Sequence, residues 1–408
     1  MAIIQRAYKV KLYPSDNQRQ LYAQHAGYAR YVYNWGLARW CETLRDAPEN
    51  AENGDKFLHW MTLKKQWNAE KYTITDAEGN PALWIRDMHQ DTGEFAMRNL
   101  GKALSNFWRE WQKGNKRVKA GAKVKCDLPL TVYEGFPRFK GKYGRASFQI
   151  RRLTVEYSRV KFPPAIGGWV KFREPGYIPL EDVKYNTWTV SRSGDDWFLS
   201  VQVEESATIT RATGGPVGVD AGVKELAVAS DGTFYANPKE LARQQKKLRR
   251  LQRKLSRQQK GGANYNKTKG QIAKVHARIA NVRSWHTNNA SSDIVKRGAP
   301  DDQRPAAIGL ENLNVRGMVK NHRLARAVAD ANMSELRRQI EYKAAWGGTD
   351  VVVADRFYPS TQTCSNCGVI RNGEDKVKLS DRVFRCPECG FEIDRDLNAA
   401  RNLERLAR

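Results

Sequence analysis

The chain has 408 residues, enough for two or three units that each bury a core. Its 70 lysines and arginines against 44 aspartates and glutamates leave a formal charge of +26 and a pI near 9.8, an excess that implies a polyanionic partner, nucleic acid before an anionic membrane. A hydrophobic fraction of 40% with twelve tryptophans excludes a disordered chain, and no run approaches the roughly 18 apolar residues of a membrane span.

Residues 7–13 alternate Tyr8, Val10 and Leu12 with Lys9 and Lys11, the period of a half-buried strand. Arg6, Lys9 and Lys11 within that alternation rule against a signal peptide, so the protein is expected in the bacterial or archaeal cytosol, off the membrane. Pro14 ends the strand, and Ser15 or Asp16 can cap a helix. From residue 18 to about 112 the pattern is mostly helical. One face is built by Leu21, Tyr28, Val32 and Trp35, another by Leu100, Leu104, Phe107, Trp108 and Trp111, with a turn expected over 77–81 between them. Residues 113–125 read as a basic connector.

After Gly135 short β segments appear at 169–172, 188–191 and 197–203, with turns at Ile166-Gly167-Gly168 and Ser193-Gly194-Asp195. They suggest a small β-barrel that takes the N-terminal strand as its first. Gly214-Gly215-Pro216 marks a boundary. Beyond it, strands are expected at 217–220, 226–229, 307–310 and 351–353, with a hairpin turn at Ser230-Asp231-Gly232 and a helix over 332–345. That order fits an α/β nuclease-like domain.

Residues 239–260 hold ten lysines or arginines and one acid, Glu240. Leu241, Leu248 and Leu255 recur every seven, so a helix there packs one stripe and exposes a cationic face carrying Lys246, Lys247, Arg249, Arg250, Arg253, Lys254 and Arg257. That face is suited to track phosphates. Gly261-Gly262 turns the chain into a second basic helix through Lys274, His276, Arg278 and Arg283.

Cys364 and Cys367 are separated by eighteen residues from Cys386 and Cys389, and Gly368 and Gly390 follow the two pairs. Four thiolates at this spacing can surround one tetrahedral, structural Zn²⁺ from two knuckles. The site is coordinatively closed, so no catalysis is assigned to it. Cys41 and Cys126 stand alone and are expected as buried thiols.

Three acids stand in unusual settings. Asp220 ends the run Pro216-Val-Gly-Val-Asp220, Glu311 ends Ala307-Ile-Gly-Leu-Glu311, and Asp396 lies in Asp394-Arg-Asp-Leu-Asn-Ala-Ala400 at the opening of the last helix. A carboxylate flanked by apolar strand residues is partly desolvated, which is unfavourable unless a cation compensates. Three such groups meeting at one point would hold two Mg²⁺ for phosphodiester hydrolysis.

These motifs resemble the TnpB family of transposon-encoded nucleases. Gly218-Val-Asp220-Ala-Gly222-Val-Lys224 resembles its first RuvC motif, and Glu311-Asn-Leu-Asn-Val-Arg-Gly-Met318 its second. The stretch 337–347, running into Tyr358-Pro-Ser360 and the cysteine pairs, and Asp394 to Leu403 as the third motif, are similar as well. In the family's third motif the second aspartate is the ligand, which favours Asp396 over Asp394. Gly135-Phe-Pro-Arg-Phe-Lys140, residues 163–170 and residues 8–21 resemble the family's wedge segment. The likeness is weakest over 47–82 and 116–132.

The resemblance implies an α/β multidomain architecture. A wedge β-barrel would take residues 1–14 and 131–210, with a helical recognition lobe over 15–130. A RuvC (RNase H-like) nuclease domain would span 214–360, with a zinc ribbon inserted over 361–392 and the final motif and helix over 393–408. It implies a guide RNA (ωRNA) from the transposon end, a target-adjacent motif in double-stranded DNA, and cutting of both strands at Asp220, Glu311 and Asp396 with Mg²⁺. Phe136, Arg138, Phe139 and Lys140 could contact RNA by stacking and phosphate pairing, or equally be core and connector. A compact type V CRISPR effector would differ in guide source. A non-cleaving RNA-guided repressor would be expected to lack one of the acids. A transposase with an Asp-Asp-Glu triad fits the order Asp, Glu, Asp poorly.

Overall fold

The computed structural model describes residues 2–46, 58–75, 78–114, 116–119, 128–142, 144–378 and 381–408. Cys126, much of the connector expected over 113–125 and the first residue of the turn expected over 77–81 lie outside the described residues. The chain divides into two compact units, Ile3–Ser206 and Ala207–Arg408 with Met1–Ala2.

In the first unit, strand β1 (Ala2–Tyr13) buries Val10 and Leu12 and leaves Lys9 and Lys11 partly or wholly uncovered, as alternation requires. Helix α1 (Asp16–Asp46) then opens with a reciprocal box: Gln18 N–H donates to Ser15 Oγ at 3.3 Å, and Ser15 N–H to Gln18 Oε1 at 2.9 Å. Helices α2 (Trp60–Glu70) and α3 (Gln90–Gln112) pack on α1, and Val32, Leu37 and Trp40 meet Leu100, Leu104 and Trp108 in one core. Cys41 is buried in it.

The same core continues under a sheet. Its strands are β2 (Ser147–Ile150), β3 (Thr154–Val155), β4 (Arg159–Lys161), β5 (Trp169–Phe172), β6 (Val183–Ser193) and β7 (Asp196–Ala207), in the order β2-β6-β7-β1-β5-β4-β3. Every strand pairing described there is antiparallel, and β1 lies inside the sheet between β7 and β5. The ladder runs from β2 to β3 without closing on itself among the described residues.

The second unit is built on a mixed sheet of β8 (Val217–Asp220), β9 (Glu225–Ala229), β10 (Phe234–Ala236), β11 (Ala307–Leu310) and β12 (Asp350–Val353), in the order β10-β9-β8-β11-β12. Strands β8, β11 and β12 run parallel, while β9 and β10 are antiparallel additions. All four residues of β8 and of β11 are buried, which explains why both read as unbroken apolar or glycine runs rather than alternating ones.

Between β10 and β11 come α4 (Glu240–Ser256) and α5 (Ala263–Ile294). They zip together through Leu248 and Leu251 against Val275 and Ile279. The buried stripe thus follows a three-residue step, Leu248 to Leu251, with Leu241 only partly buried, whereas the sequence spacing suggested a seven-residue one through Leu255; two antiparallel helices in a short hairpin need only a local seam. After β11 come α6 (Val315–Met318), α7 (Ala325–Ala331) and α8 (Met333–Gly347). Ala290, Ile294, Leu336 and Ile340 from α5 and α8 cover one face of the sheet. After β12, the hairpin β13 (Val383–Arg385) and β14 (Glu392–Asp394) leads into α9 (Arg395–Leu406). Among the described residues, no helix is long and apolar enough to cross a membrane.

Helix α4 has no capping side chain of its own, because its N-cap Lys239 sits in the left-handed region at φ 47°. Asp330, buried at the end of α7, takes that role from a distance. It accepts Leu241 N–H and Ala242 N–H at 3.3 Å each, and pairs with Arg283 of α5 at 3.3 Å. Asp330→Ala is therefore expected to destabilise the fold by about 1–2 kcal/mol, as loss of a helix cap does. A lowered midpoint in thermal unfolding checks it; an unchanged midpoint would show that Asp330 does not anchor α4.

Candidate active site and four-cysteine cluster

Parallel pairing brings Leu310 opposite Val219, so the residues that follow them, Glu311 and Asp220, leave neighbouring strands at the same level. Asp220 is buried and Glu311 half-buried. The third acid arrives from the other end of the chain. Asp394 caps α9, accepting Asp396 N–H at 2.9 Å and Leu397 N–H at 3.1 Å. That role occupies Asp394 and leaves Asp396, two residues on, near enough for its charge to act on Asp220 and Glu311.

Helix α9 reaches the strands because two of their side chains are missing. A Cβ on Gly218 would lie 1.9 Å from Ala400 O and 2.3 Å from Glu404 N, and one on Gly309 would lie 2.1 Å from Leu403 O. Both contacts are with backbone, so only hydrogen fits there. Strand alternation turns Gly218 and Gly309 to the face opposite Val219 and Leu310, which puts α9 and α8 on opposite sides of the sheet.

The three acids feel one another. Burial first, then the charges of Glu311 and Asp396, push the Asp220 carboxyl well above the ordinary carboxylate range, with Arg395 pulling the other way. Burial also raises Glu311; its Ser360 hydrogen bond opposes this and the Asp396 charge adds to it. The acids are nonetheless not drawn into a ligand cluster: among the described residues the four cysteines alone form a group of three or more ligand atoms within 4.8 Å of one another. Two protein groups engage the acids. Ser360 Oγ–H donates to Glu311 Oε1, and Arg395 pairs with Asp396 at 2.9 Å and 3.1 Å. Three hard oxygen donors, desolvated and on rigid elements, suit Mg²⁺.

The cysteines behave differently. Cys364 Sγ lies 3.8 Å from Cys389 Sγ, and Cys367 Sγ 3.6 Å from Cys386 Sγ. Four sulfurs at Zn–S bonds of ~2.3 Å around a tetrahedral ion stand ~3.8 Å apart, so the cluster can hold zinc. Gly368 and Gly390 donate their N–H groups back to Cys364 O and Cys386 O at 2.9 Å and 3.1 Å, closing the two knuckles.

The first knuckle is laced to α9. Asn398, fully buried, accepts Ser365 N–H at 2.9 Å and donates to Thr363 O at 2.7 Å. One turn on, Asn402 donates to Ser360 O at 2.8 Å and Thr363 O at 2.7 Å. Arg405 reaches Asn366 O at 3.1 Å, and Arg395 N–H donates to Arg382 O at 2.8 Å beside the second knuckle. Ser360, Arg395, Asn398 and Asn402 did not stand out in the sequence as site residues. The partners of Ser360, Asn398 and Asn402 lie 33 to 49 positions away, while Arg395 pairs with its own neighbour Asp396.

The seven basic residues Lys246, Lys247, Arg249, Arg250, Arg253, Lys254 and Arg257 are all exposed along α4 and just past its end. In the first unit, Arg138, Phe139 and Lys140 are exposed, and Lys140 Nζ stands 3.8 Å over the Tyr33 ring. Phe136 is not available to a ligand: it is buried in the core, 5.2 Å from the Phe107 ring, so of the two open alternatives it takes the core one.

Strand ends carrying carboxylates beneath a helix N-terminus, with a four-thiol cluster tied to the same helix, define an α/β protein with paired acidic and cysteine centres. The comparisons place it further. Residues 198–322 match the OrfB/IS605 family model described as "Probable transposase", residues 334–403 the "Cas12f1-like, TNB domain", and residues 1–46 a "Helix-turn-helix domain", although residues 2–46 here form one strand and one unbroken helix. A protein of Streptomyces pristinaespiralis named "Putative RNA-guided DNA endonuclease" is 31% identical over 99% of this chain and 89% of its own length. InsQ of Escherichia coli K12, named in the same terms, is 30% identical over 98% of this chain and 91% of its own. The chain belongs to this TnpB family. A cryo-EM structure of a Cas12f1–sgRNA–target DNA complex is similar at 15% identity over 98% of this chain and 99% of that one, with a TM-score of 0.32.

Proposed function

We propose that the chain is an RNA-guided DNA endonuclease whose cutting site is Asp220, Glu311 and Asp396. The observation that carries the reading is the close approach of α9 to Gly218 and Gly309, which spends two side chains to bring a third carboxylate to two others. A site in which burial and neighbouring charge push up the Asp220 and Glu311 carboxyls stabilises nothing by itself. It is accounted for by cations that bind there. Bound divalent metal, Mg²⁺ in the cell, would activate a water and neutralise charge on the leaving oxygen of a phosphodiester. The chain supplies the rest. Asp220 and Glu311 are fixed by paired strands, Asp396 by a capped helix, and Arg395 balances the Asp396 charge. No side chain acts as nucleophile.

The order β10-β9-β8-β11-β12, with three parallel strands and two antiparallel, supports an RNase H-like, RuvC-type domain over 214–360 and 393–408. The cysteine cluster over 361–392 is its zinc ribbon. Residues 1–14 and 131–210 contribute the wedge sheet, and 15–130 the recognition helices. A guide RNA from the transposon end pairs with target DNA beside a short adjacent motif, so specificity lies in base pairing. The exposed cations of α4, together with Arg138 and Lys140, line its phosphates.

The test is cleavage of a plasmid carrying a guide-matched target beside a randomised flank, by protein co-expressed with its transposon-end RNA. Linear plasmid enriched for one flank, absent with chelator and in Asp220→Ala, is the expected outcome. Protein that holds RNA and protects the target without cutting it would replace this reading with a binding protein.

A further inference from the structure

The carboxyl ends of β8 and β11 do more than present Asp220 and Glu311. Between them and α8 lies a crevice of about 400 Å³, the size of a small-ligand pocket, in the place where open α/β sheets bind ligands. Glu311 forms one wall. Its floor is apolar, made by Leu310, Leu313, Leu336 and Ile340. Its rim carries Arg316, Arg337 and Arg338.

The three arginines are not equivalent. Arg337 is held by Glu341 at 2.8 Å, and Arg338 by Glu335 at 2.7 Å with its guanidinium 5.2 Å over the Tyr342 ring. Arg316 is exposed and has no carboxylate partner among the described residues. Asn314 also lines the crevice. Its Oδ1 accepts Gly317 N–H at 3.1 Å, which fixes the side chain at the crevice wall. An apolar slot with an amide side chain in its wall and an uncommitted cation at its mouth, beside Glu311, has the chemistry of one nucleotide: a base inside, its phosphate on the arginine.

We propose that this crevice takes the nucleobase next to the scissile phosphate of the strand being cut, holding that strand in register with the three acids. The inference rests on the endonuclease reading and deepens it. Leu313 and the other apolar residues cover the faces of the base, Asn314 meets its edge, and Arg316 pairs with the adjoining phosphate. Arg337 and Arg338, tied to their own acids, shape the rim. The slot fits a base that has left the helical stack, so the strand enters the site single-stranded.

The assembled complex of protein, guide RNA and target supplies the test, in two arms. In the first, 2-aminopurine is stepped through the positions flanking the cut in Asp220→Ala, which binds without cutting. One position is expected to change its emission, and Leu313→Trp, which fills the slot, is expected to abolish that change. Arg316→Ala, a surface change with no effect on folding, is expected to weaken the strand binding that produces it. In the second arm, an abasic site at the same position slows single-turnover cutting by unsubstituted protein about tenfold, within the range of one stacked base, and slows Leu313→Trp no further. Emission that responds at no position, or that persists in both Leu313→Trp and Arg316→Ala, overturns the pocket whether or not the protein cuts. Absence of cutting by the unsubstituted complex, with the emission signal intact, overturns the endonuclease reading and leaves the pocket standing.

Discussion

Gly309→Ala is expected to slow cleavage about 10²-fold while the protein still folds and still retains its guide RNA. The added methyl carbon would stand 2.1 Å from Leu403 O and 2.7 Å from Leu403 C, both backbone atoms of α9 that no rotamer change can move. Ordinary contact needs more than 3 Å, so α9 must back away from β11 by about 1 Å, and a displacement of that size at a reacting centre is worth about 10²-fold in rate. Gly218→Ala meets Ala400 O at 1.9 Å and Glu404 N at 2.3 Å and is expected to be at least as severe, with loss of thermal stability as well. Gly270 provides the control. It lies in α5 with nothing within 4 Å of a built Cβ, so Gly270→Ala should cut normally and unfold at the same temperature or higher. Single-turnover cleavage and thermal unfolding of the three variants decide the matter. Gly309→Ala cutting at the unsubstituted rate would show that α9 does not set the position of Asp396.

Those glycines mark the line between what the sequence discloses and what it does not. The apolar runs ending in Asp220 and Glu311 are visible as strands because both faces of β8 and β11 are buried, and the observed bounds, Val217–Asp220 and Ala307–Leu310, match the expected ones. The Asp394 and Asp396 pair is legible once capping is considered, since a carboxylate two residues before the ligand is suitably placed to hold the helix start. Gly218 and Gly309, by contrast, read only as parts of motifs. Nothing local says that the last helix, α9, lies against them. The stripe of α4 is legible only in part for a related reason: periodicity picks out Leu248 and Leu241, and the partner helix adds Leu251. Phe136, flanked by exposed Arg138 and Phe139, has the composition of a binding segment, and only the position of Phe107 and Trp40 makes it core. Ser360, Asn398 and Asn402 act through contacts across the chain that no period records.

Asn398→Ala is expected to keep zinc and lose cleavage. Three features of the site converge on this result. The Asn398 side chain joins Ser365 and Thr363 on either side of Cys364 to the first turn of α9, two residues beyond Asp396. Asn402 repeats the link to Ser360 and Thr363. Ser360, at the root of the same knuckle, donates to Glu311. The cysteine cluster therefore positions two of the three acids without touching either, and disturbing the link should act as loss of an outer-shell partner does, lowering divalent-metal affinity at the carboxylates by about 10- to 100-fold. Cys364→Ser, which removes a zinc ligand, should lose both zinc and cleavage. Asn398→Ala and Asn402→Ala should bind zinc as the unsubstituted protein does, bind Mn²⁺ more weakly by paramagnetic resonance, and cut about 10²-fold more slowly. Zinc content separates the two classes of variant. If Asn398→Ala retains zinc and also cuts and binds Mn²⁺ normally, the ribbon is an independent module and the carboxylates are held by the strands and Arg395 alone. If it loses zinc, the asparagine serves the knuckle first, and the path from cysteine cluster to Asp396 runs instead through Arg395 and the second knuckle, where Arg395 N–H meets Arg382 O.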